Sequence, residues 1–142
     1  MQFDKEDIVR LIPQREPMVM IDSVSAEETD RCTTTLTITA DNLFVRKGRF
    51  MEAGLVENAA QSAAALVGLQ GMQHAADATP KIGFIGEVKD FHIFRLPETG
   101  DQIQTTVSIV AVVDAVTLVE CQTFVQKEQI ATGRLKVFLT NE

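Results

Sequence analysis

The stretch "MEAGLVENAAQSAAALVGL", residues 51–69, decides the fold. It is rich in alanine, the residue with the highest helix propensity, and its apolar side chains recur every three or four residues. These positions are Leu55, Val56, Ala59, Ala60, Ala63, Ala64 and Val67. So broad an apolar arc must be covered on most sides, and small side chains let a sheet approach closely. The stretch therefore predicts one long buried helix wrapped by a sheet.

The segments on either side of this helix have mostly β-strand patterns. A short helix is predicted for residues 4–12, where Pro13 stops it, and strands for residues 19–25 and 31–39. Four further β-rich runs occupy residues 81–94, 101–113, 116–127 and 129–140. Turn signals separate these four runs at residues 97–101, at residues 114–115 and at Glu128. Because the connections are short, we expect the four strands to be antiparallel neighbours.

Composition and charge restrict the class of protein. A chain of 142 residues without linkers or repeats fits a single domain, residues 1–142. Its net charge of −7 argues against nucleic-acid binding, which needs a basic surface. The acidic N-terminal sequence is unlike a secretory leader, and no run approaches about 18 apolar residues, so we predict a cytoplasmic protein without a membrane span. Cys32 and Cys121 have no disulfide or zinc spacing and are predicted to be buried thiols, and no metal or other cofactor is implied.

Three motifs resemble the hotdog-fold 3-hydroxyacyl-acyl-carrier-protein dehydratases. "LIPQREPMVMIDSV" (residues 11–24) is similar to the family's opening motif, and "ENAAQ" (residues 57–61) to its Glu-Ala-x-Ala-Gln on the central helix. In "KIGFIGEVKDFHIFRLPETGDQI" (residues 81–103), Arg95 precedes a turn like the family's Pro-Gly-Asp turn. The resemblance implies an α+β hotdog fold, an antiparallel sheet wrapped around one long helix. It also implies a homodimer or larger homo-oligomer with acyl-thioester tunnels at the subunit interface.

Glu57 takes the place of the family's catalytic carboxylate. In the family that carboxylate works with a histidine to remove the α-proton of a 3-hydroxyacyl thioester and to expel its hydroxyl group as water. Gln61, four residues on, lies on the same helical face and can hydrogen-bond the carboxylate. The alternative to a catalytic role is that Glu57 caps or pairs locally and only borders the core. The small side chains Ala59, Ala63 and Ala64 further suggest that two such helices pack together in a dimer.

The family's catalytic histidine is missing. In "KGRFMEAG", residues 47–54, Arg49 takes its place, and the loop before the helix is shorter than the family's. A guanidinium is not deprotonated in proteins, so Arg49 cannot serve as the base. His74 lies 17 positions after Glu57, about 25 Å along a continuous helix. His92 shares a strand face with Asp90 and Phe94, which makes it a weak candidate for a chemical role.

Substrate-binding residues are expected around the start of the helix. The backbone amides of Ala53 and Gly54 are candidate oxyanion donors if the helix begins there. Arg46 and Lys47, with Arg49, form a basic cluster in an acidic chain that could receive a phosphopantetheine arm or an acidic carrier protein. Several phenylalanines could shape an acyl tunnel or belong to the core: Phe44, Phe50, Phe84, Phe91 and Phe94.

Three functions remain open at this point. The first is a divergent dehydratase-like lyase of fatty-acid or polyketide-type lipid synthesis that uses Glu57, with a missing residue supplied by a second polypeptide. The second is a hotdog thioesterase in which Glu57 attacks the thioester or activates water. The third is a non-catalytic acyl-binding or partner subunit. Each reading expects an acyl thioester on acyl carrier protein or coenzyme A as the ligand.

Overall fold

One 23-residue helix, α2 (Glu52–His74), packs on a seven-stranded antiparallel sheet in the computed structural model, which describes residues 1–74 and 83–139. Before α2 come α1 (Lys5–Ile8) and the strands β1 (Gln2–Phe3), β2 (Ser23–Glu28), β3 (Arg31–Thr37), β4 (Val45–Arg46) and β5 (Arg49–Phe50). After it come β6 (Gly83–Ile93), β7 (Gln102–Val113), β8 (Val116–Val125) and β9 (Glu128–Leu139). The sheet order is β1-β2-β3-β7-β8-β9-β6, and β4 pairs with β5 in a separate hairpin. The predicted hotdog architecture is confirmed.

The small side chains of α2 are covered by the chain's own sheet. Ala59, Ala63 and Ala64 are buried in one apolar cluster with core residues of the sheet such as Val107 and Leu135. This close packing confirms that the alanine-rich face lets the strands approach the helix. The same burial leaves these alanines no surface for a second helix, so they give no support to a helix-to-helix dimer contact.

The pairing of β6 differs from the prediction. Strand β6 pairs with β9, and β7 lies between β3 and β8 instead of beside β6. The cause is the turn after β6, which is bonded to the end of β3: Gly100 N donates to Ile38 O, and Ile38 N donates to Asp101 O, each at 2.8 Å. These two hydrogen bonds align the start of β7 with β3, so the connection between β6 and β7 crosses from one part of the sheet to another.

The N-terminal segment is less regular than its pattern indicates. Helix α1 covers only Lys5–Ile8, although the prediction was residues 4–12, and Asp4 caps it by accepting from Glu6 N. Strand β2 begins at Ser23, so the preceding apolar residues are not part of the sheet. We call residues 13–21 the strap, because their backbone is bonded to α2 as described below. At the other end of the chain the predicted turn at Glu128 falls at residues 126–127, and Glu128 begins β9.

Both cysteines are buried free thiols, as predicted. Cys32 and Cys121 are 2% and 1% exposed, and burial raises the pKa of each thiol to about 12. The thiolate is the reactive form of cysteine, so we expect both residues to resist iodoacetamide at pH 8 in the native protein and to react fully in denaturant. Mass spectrometry after a timed reaction measures this directly. Complete labelling of the native protein within minutes would contradict the packing described here.

Candidate functional site

Glu57 lies in the second turn of α2, on the face that the chain leaves partly open. Ala53 is exposed, and Val56, Glu57 and Ala60 are half-buried. These positions share one side of a helix because they follow the spacing of three and four residues. From Gln61 to Leu69 every residue of α2 is buried. The carboxylate therefore sits on a small apolar surface at the N-terminal end of the helix.

Gln61 holds the Glu57 carboxylate in place. Its Nε2 donates to Glu57 Oε2 at 2.9 Å and to Met18 O at 2.7 Å, while its Oε1 accepts from Met20 N at 2.6 Å. Both amide hydrogens are thus used, and the residue is 0% exposed. Gln61 has no hydrogen left to offer to a substrate. It is therefore a positioning residue for Glu57, although the motif suggested a direct catalytic role.

Asn58 fixes the strap from the next position of the helix. Its Nδ2 donates to Met20 O at 2.8 Å, and its Oδ1 accepts from Thr105 Oγ1 at 2.6 Å. Thr105 in turn shares a hydrogen bond with Thr123, and all these side chains are buried. The peptide groups on both sides of Met20 are thus bonded by helix side chains. Asn58 is not among the site residues predicted from the sequence. The one feature that could have identified it is its polar side chain within a helical stretch that is otherwise predicted to be buried.

Arg49 stands on the β4–β5 hairpin and does not contact Glu57 within one chain. The hairpin turns through Lys47 and Gly48, and the residues from Arg46 to Arg49 are all exposed. Among the described residues, no ion pair or hydrogen bond joins the Arg49 guanidinium to the Glu57 carboxylate. No direct interaction therefore links the position of the family's histidine to the carboxylate within the described residues.

His92 lies on the outer face of the sheet. It is exposed and stands directly opposite Thr132 of β9, whose neighbours Ala131 and Gly133 face the core. Residues that face each other across two antiparallel strands share a side of the sheet, so His92 points away from α2. The candidate chemical role of His92 beside Glu57 therefore finds no support within one chain. His74, the other histidine, is the last residue of α2.

Phe50 and Gly54 belong to the core instead of lining an open site. Phe50 is 0% exposed and packs edge-on against Phe44, with ring centroids 6.3 Å apart. A Cβ on Gly54 would lie 2.6 Å from the Phe50 ring, so only glycine permits this contact. Gly54 N donates to Met51 O at 2.9 Å and is not a free oxyanion donor. The expectation that Phe50 and Gly54 bind substrate is corrected because the phenylalanine turns inward under the helix.

The other expected substrate-binding residues are exposed but scattered. Phe84 is 53% exposed on β6, opposite Phe138 of β9, so it belongs to the edge of the sheet. Ala53, at the start of α2, is exposed on the Glu57 side of the helix. Arg46 and Lys47 are exposed on the hairpin. Of these residues only Ala53 shares the helix face of Glu57.

The Arg95 motif has a structural role. Arg95 Nε and Nη2 each donate to the Glu128 carboxylate at 3.0 Å, and this hydrogen bonding holds the pKa of Glu128 below its usual range. In the following turn Asp101 Oδ2 accepts from Glu98 N at 2.8 Å. Both contacts stabilise the connection from β6 to β7. Arg95 and the turn that follows it therefore contribute no side chain to the face of α2 that carries Glu57.

Two clefts of the described chain lie away from Glu57. One of about 430 Å³ is lined by residues of β1, β2, β3 and β7, and one of about 410 Å³ lies between Lys5, the strap and residues 36–43. Glu57 lines neither. No three His, Cys, Asp or Glu side chains in residues 1–74 and 83–139 are placed to hold a metal ion. None of the described helices is long and apolar enough to cross a membrane.

Comparison with known proteins assigns the chain to a family. The family model for the ApeP-like proteins, described as ApeP dehydratase, matches residues 6–142 of this chain. The chain belongs to this family. The identification as a divergent member of the hotdog dehydratases is therefore confirmed, and the match covers the strap, α2 and the strands from β2 onwards. No curated protein sequence matches the chain.

Solved structures share the fold of this ApeP-like chain at low sequence identity. A chain of the dehydratase heterocomplex ApeI:P from Xenorhabdus doucetiae has a TM-score of 0.84 and 16% identity, covering 95% of this chain and 91% of that one. Cj0977, a sigma28-regulated virulence protein from Campylobacter jejuni, has a TM-score of 0.74 and 13% identity over 98% and 92%. A hypothetical thioesterase from Streptococcus pneumoniae, solved with coenzyme A, has a TM-score of 0.68 and 10% identity over 95% of each chain.

Proposed function

We propose that this ApeP-like chain is the carboxylate-bearing subunit of a 3-hydroxyacyl-thioester dehydratase. The observation that carries the proposal is the Glu57 carboxylate, held by Gln61 on a partly open apolar helix face. Membership of the ApeP-like dehydratase family supports the reaction class. The substrate we propose is an acyl thioester on acyl carrier protein or coenzyme A, in lipid synthesis of the fatty-acid or polyketide type.

Glu57 would exchange a proton with the 3-hydroxyl group of the substrate. Gln61 occupies Oε2, which leaves Oε1 to face the substrate. In the reaction a base takes the α-proton, the carbon–oxygen bond at C3 breaks, and the hydroxyl group leaves as water after receiving the proton of the carboxyl group. The electron pair of the α carbon–hydrogen bond becomes the new double bond. Gln61, itself bonded to the strap, keeps the carboxylate in one orientation.

The base must come from outside this chain. Arg49 remains protonated, and His92 lies on the opposite side of the sheet from α2. We propose that a second hotdog chain with the family's histidine completes the site. The similar chain from Xenorhabdus doucetiae belongs to a complex described as a dehydratase heterocomplex, which supports this arrangement.

The edge of β6 is the surface that we propose for assembly. Among the described strands β6 has only β9 as a neighbour, and its exposed side chains include Phe84 and Val88, which are 53% and 40% exposed. A long edge with apolar residues is a template for pairing with another chain. We propose that this edge pairs either with a second copy, as in the expected homodimer, or with the chain that supplies the base.

Hydrolysis of the thioester is the second candidate. The fold match to a hypothetical thioesterase solved with coenzyme A favours it, because a carboxylate that attacks a thioester needs no histidine. The two reactions are separated by incubating the assembled protein with 3-hydroxyacyl, enoyl and saturated acyl thioesters. We expect formation of the double bond without free thiol. Release of thiol from the saturated thioester would establish hydrolysis, and the absence of any product would leave only acyl binding.

Replacing Arg49 with histidine is expected not to restore dehydration by the chain alone. The hairpin holds residue 49 in an exposed position without contact to Glu57, so an imidazole there would not meet the substrate beside the carboxylate. We expect the hydration rate of an enoyl thioester to stay within about threefold of that of the unmodified chain, because positioned general-base catalysis alone contributes 10²–10⁴-fold. Recovery of a hundredfold or more would show that residue 49 reaches the site.

A further inference from the structure

The tip of the β4–β5 hairpin carries three positive charges in an unfavourable arrangement. Arg46 and Arg49 are directly opposite each other, so both guanidinium groups are on one face of the hairpin. Like charges at such a cross-strand pair destabilise a sheet. Between them Lys47 has φ of 51°, a left-handed conformation that is uncommon for lysine.

No carboxylate of the described residues neutralises the hairpin tip. Neither arginine nor Lys47 forms an ion pair within residues 1–74 and 83–139. The nearest acidic residue in the strand pairing is Glu98, whose backbone bridges Arg49. The hydrogen bond to Glu128 raises the pKa of Arg95, and the nearby charges of Asp101 and Glu98 raise it further. The cations of the hairpin are therefore exposed and form no ion pair among the described residues, and Glu98 is the acidic residue paired beside Arg49.

The hairpin is held rigidly against the turn that follows β6. Thr99 N donates to Gly48 O at 2.9 Å, and Phe50 N donates to Pro97 O at 2.8 Å. At its base Met51 N donates to Phe44 O, also at 2.9 Å. Because the backbone is fixed at both ends, the Cα positions of the two arginines are fixed relative to each other. A ligand with a planar or tetrahedral anionic group would bind without first ordering a loop.

We propose that Arg46, Lys47 and Arg49 bind the phosphate of the pantetheine arm that carries the acyl thioester. Guanidinium groups bind phosphate oxygens in pairs, and paired cations on one face suit a single tetrahedral anion. Chain connectivity limits the distance between the Cα atoms of Arg49 and Glu57 to at most about 18 Å, three extended residues plus five helical ones. A pantetheine arm can reach across a distance of this order, and the proposal places the phosphate on the hairpin and the acyl group at Glu57. The inference rests on the proposed thioester function.

Calorimetric titration tests the hairpin without any turnover. The ligands are 4′-phosphopantetheine, pantetheine, coenzyme A and a phosphopantetheine-loaded carrier protein, each added to the assembled protein. The variant is Arg46→Gln/Arg49→Gln, and the matched control is Arg10→Gln/Lys127→Gln, which removes two exposed cations elsewhere. We expect the hairpin variant to weaken the three phosphate-containing ligands about 10- to 100-fold, the scale of one or two hydrogen bonds to charged groups, and to leave pantetheine unchanged.

The outcomes separate the hairpin from the proposed function. If pantetheine binds as tightly as 4′-phosphopantetheine, or if the control weakens binding as much as the hairpin variant, the hairpin is not the phosphate site and the function of Glu57 stands. If none of the four ligands binds to the unmodified protein, the proposed thioester function fails together with this inference. If only the loaded carrier protein is weakened, the hairpin recognises the carrier's protein surface and the phosphate assignment is wrong.

Discussion

Replacing Glu57 with glutamine is expected to reduce dehydration by the assembled enzyme about 10²- to 10⁴-fold, the usual contribution of a positioned acid or base. The glutamine amide has the size of the carboxyl group and can accept the hydrogen bond from Gln61 Nε2, but it cannot exchange a proton. We therefore expect the free energy of unfolding to change by less than about 1 kcal/mol. Steady-state kinetics and urea denaturation measure the two effects separately.

Glu52 provides the matched control for this substitution. It is the first residue of the same helix and is exposed, so Glu52→Gln removes the same charge away from the proposed site. We expect its activity to stay within about twofold of the unmodified enzyme, because it makes no contact with the reacting atoms. Full activity of Glu57→Gln, or equal losses in both variants, would show that Glu57 is not the catalytic carboxylate.

The second large effect is expected for Gln61→Leu, which should lower the free energy of unfolding by about 2–4 kcal/mol. Leucine fills most of the space but leaves Met18 O and Met20 N without their partners, and buried polar groups without partners are costly. The strap would lose part of its attachment to α2, and Glu57 would lose the group that orients it. We expect activity to fall together with stability.

Gln70→Leu on the same helix is the control for the loss of stability. Gln70 makes one hydrogen bond near the surface, to Thr29 O at 2.7 Å, and its replacement should cost less than about 1 kcal/mol. Urea denaturation at one pH compares the two variants. If both variants lost the same free energy of unfolding, the strap would not depend on Gln61, and its backbone groups would have found other partners.

The helix and its carboxylate follow from local sequence, whereas the strand pairing does not. Alanine content and a period of 3.6 residues identify α2 without any knowledge of its partners, and spacing alone places Gln61 beside Glu57. Whether β6 pairs with β7 or β9 depends on the hydrogen bonds that Ile38 makes with Gly100 and Asp101, more than 60 positions further along the chain. Such long-range contacts leave no periodic signal in the sequence.

The strap and the hairpin show two other reasons why local patterns fall short. Residues 19–21, the start of the predicted strand 19–25, are apolar enough for a strand, but the backbone of Met20 is bonded by Asn58 and Gln61 instead of by a neighbouring strand. The hairpin is only two residues long in each strand, below the length at which a β pattern is visible. Its tight turn also directs Phe50 into the core. Phe50 therefore packs beneath α2 instead of lining the expected substrate site.

The dependence on a second chain is tested most directly by the hydration rate of a 2-enoyl thioester. The rate is measured for this chain alone and for an equimolar mixture with a hotdog subunit that retains the family's histidine. We expect the chain alone to be slower than the mixture by about 10²- to 10⁴-fold, because it lacks the group that exchanges the α-proton. Hydration by the chain alone at about 1–10³ s⁻¹, the range of ordinary enzymes, would contradict the proposal and show that such a group is present within this chain or its homo-oligomer.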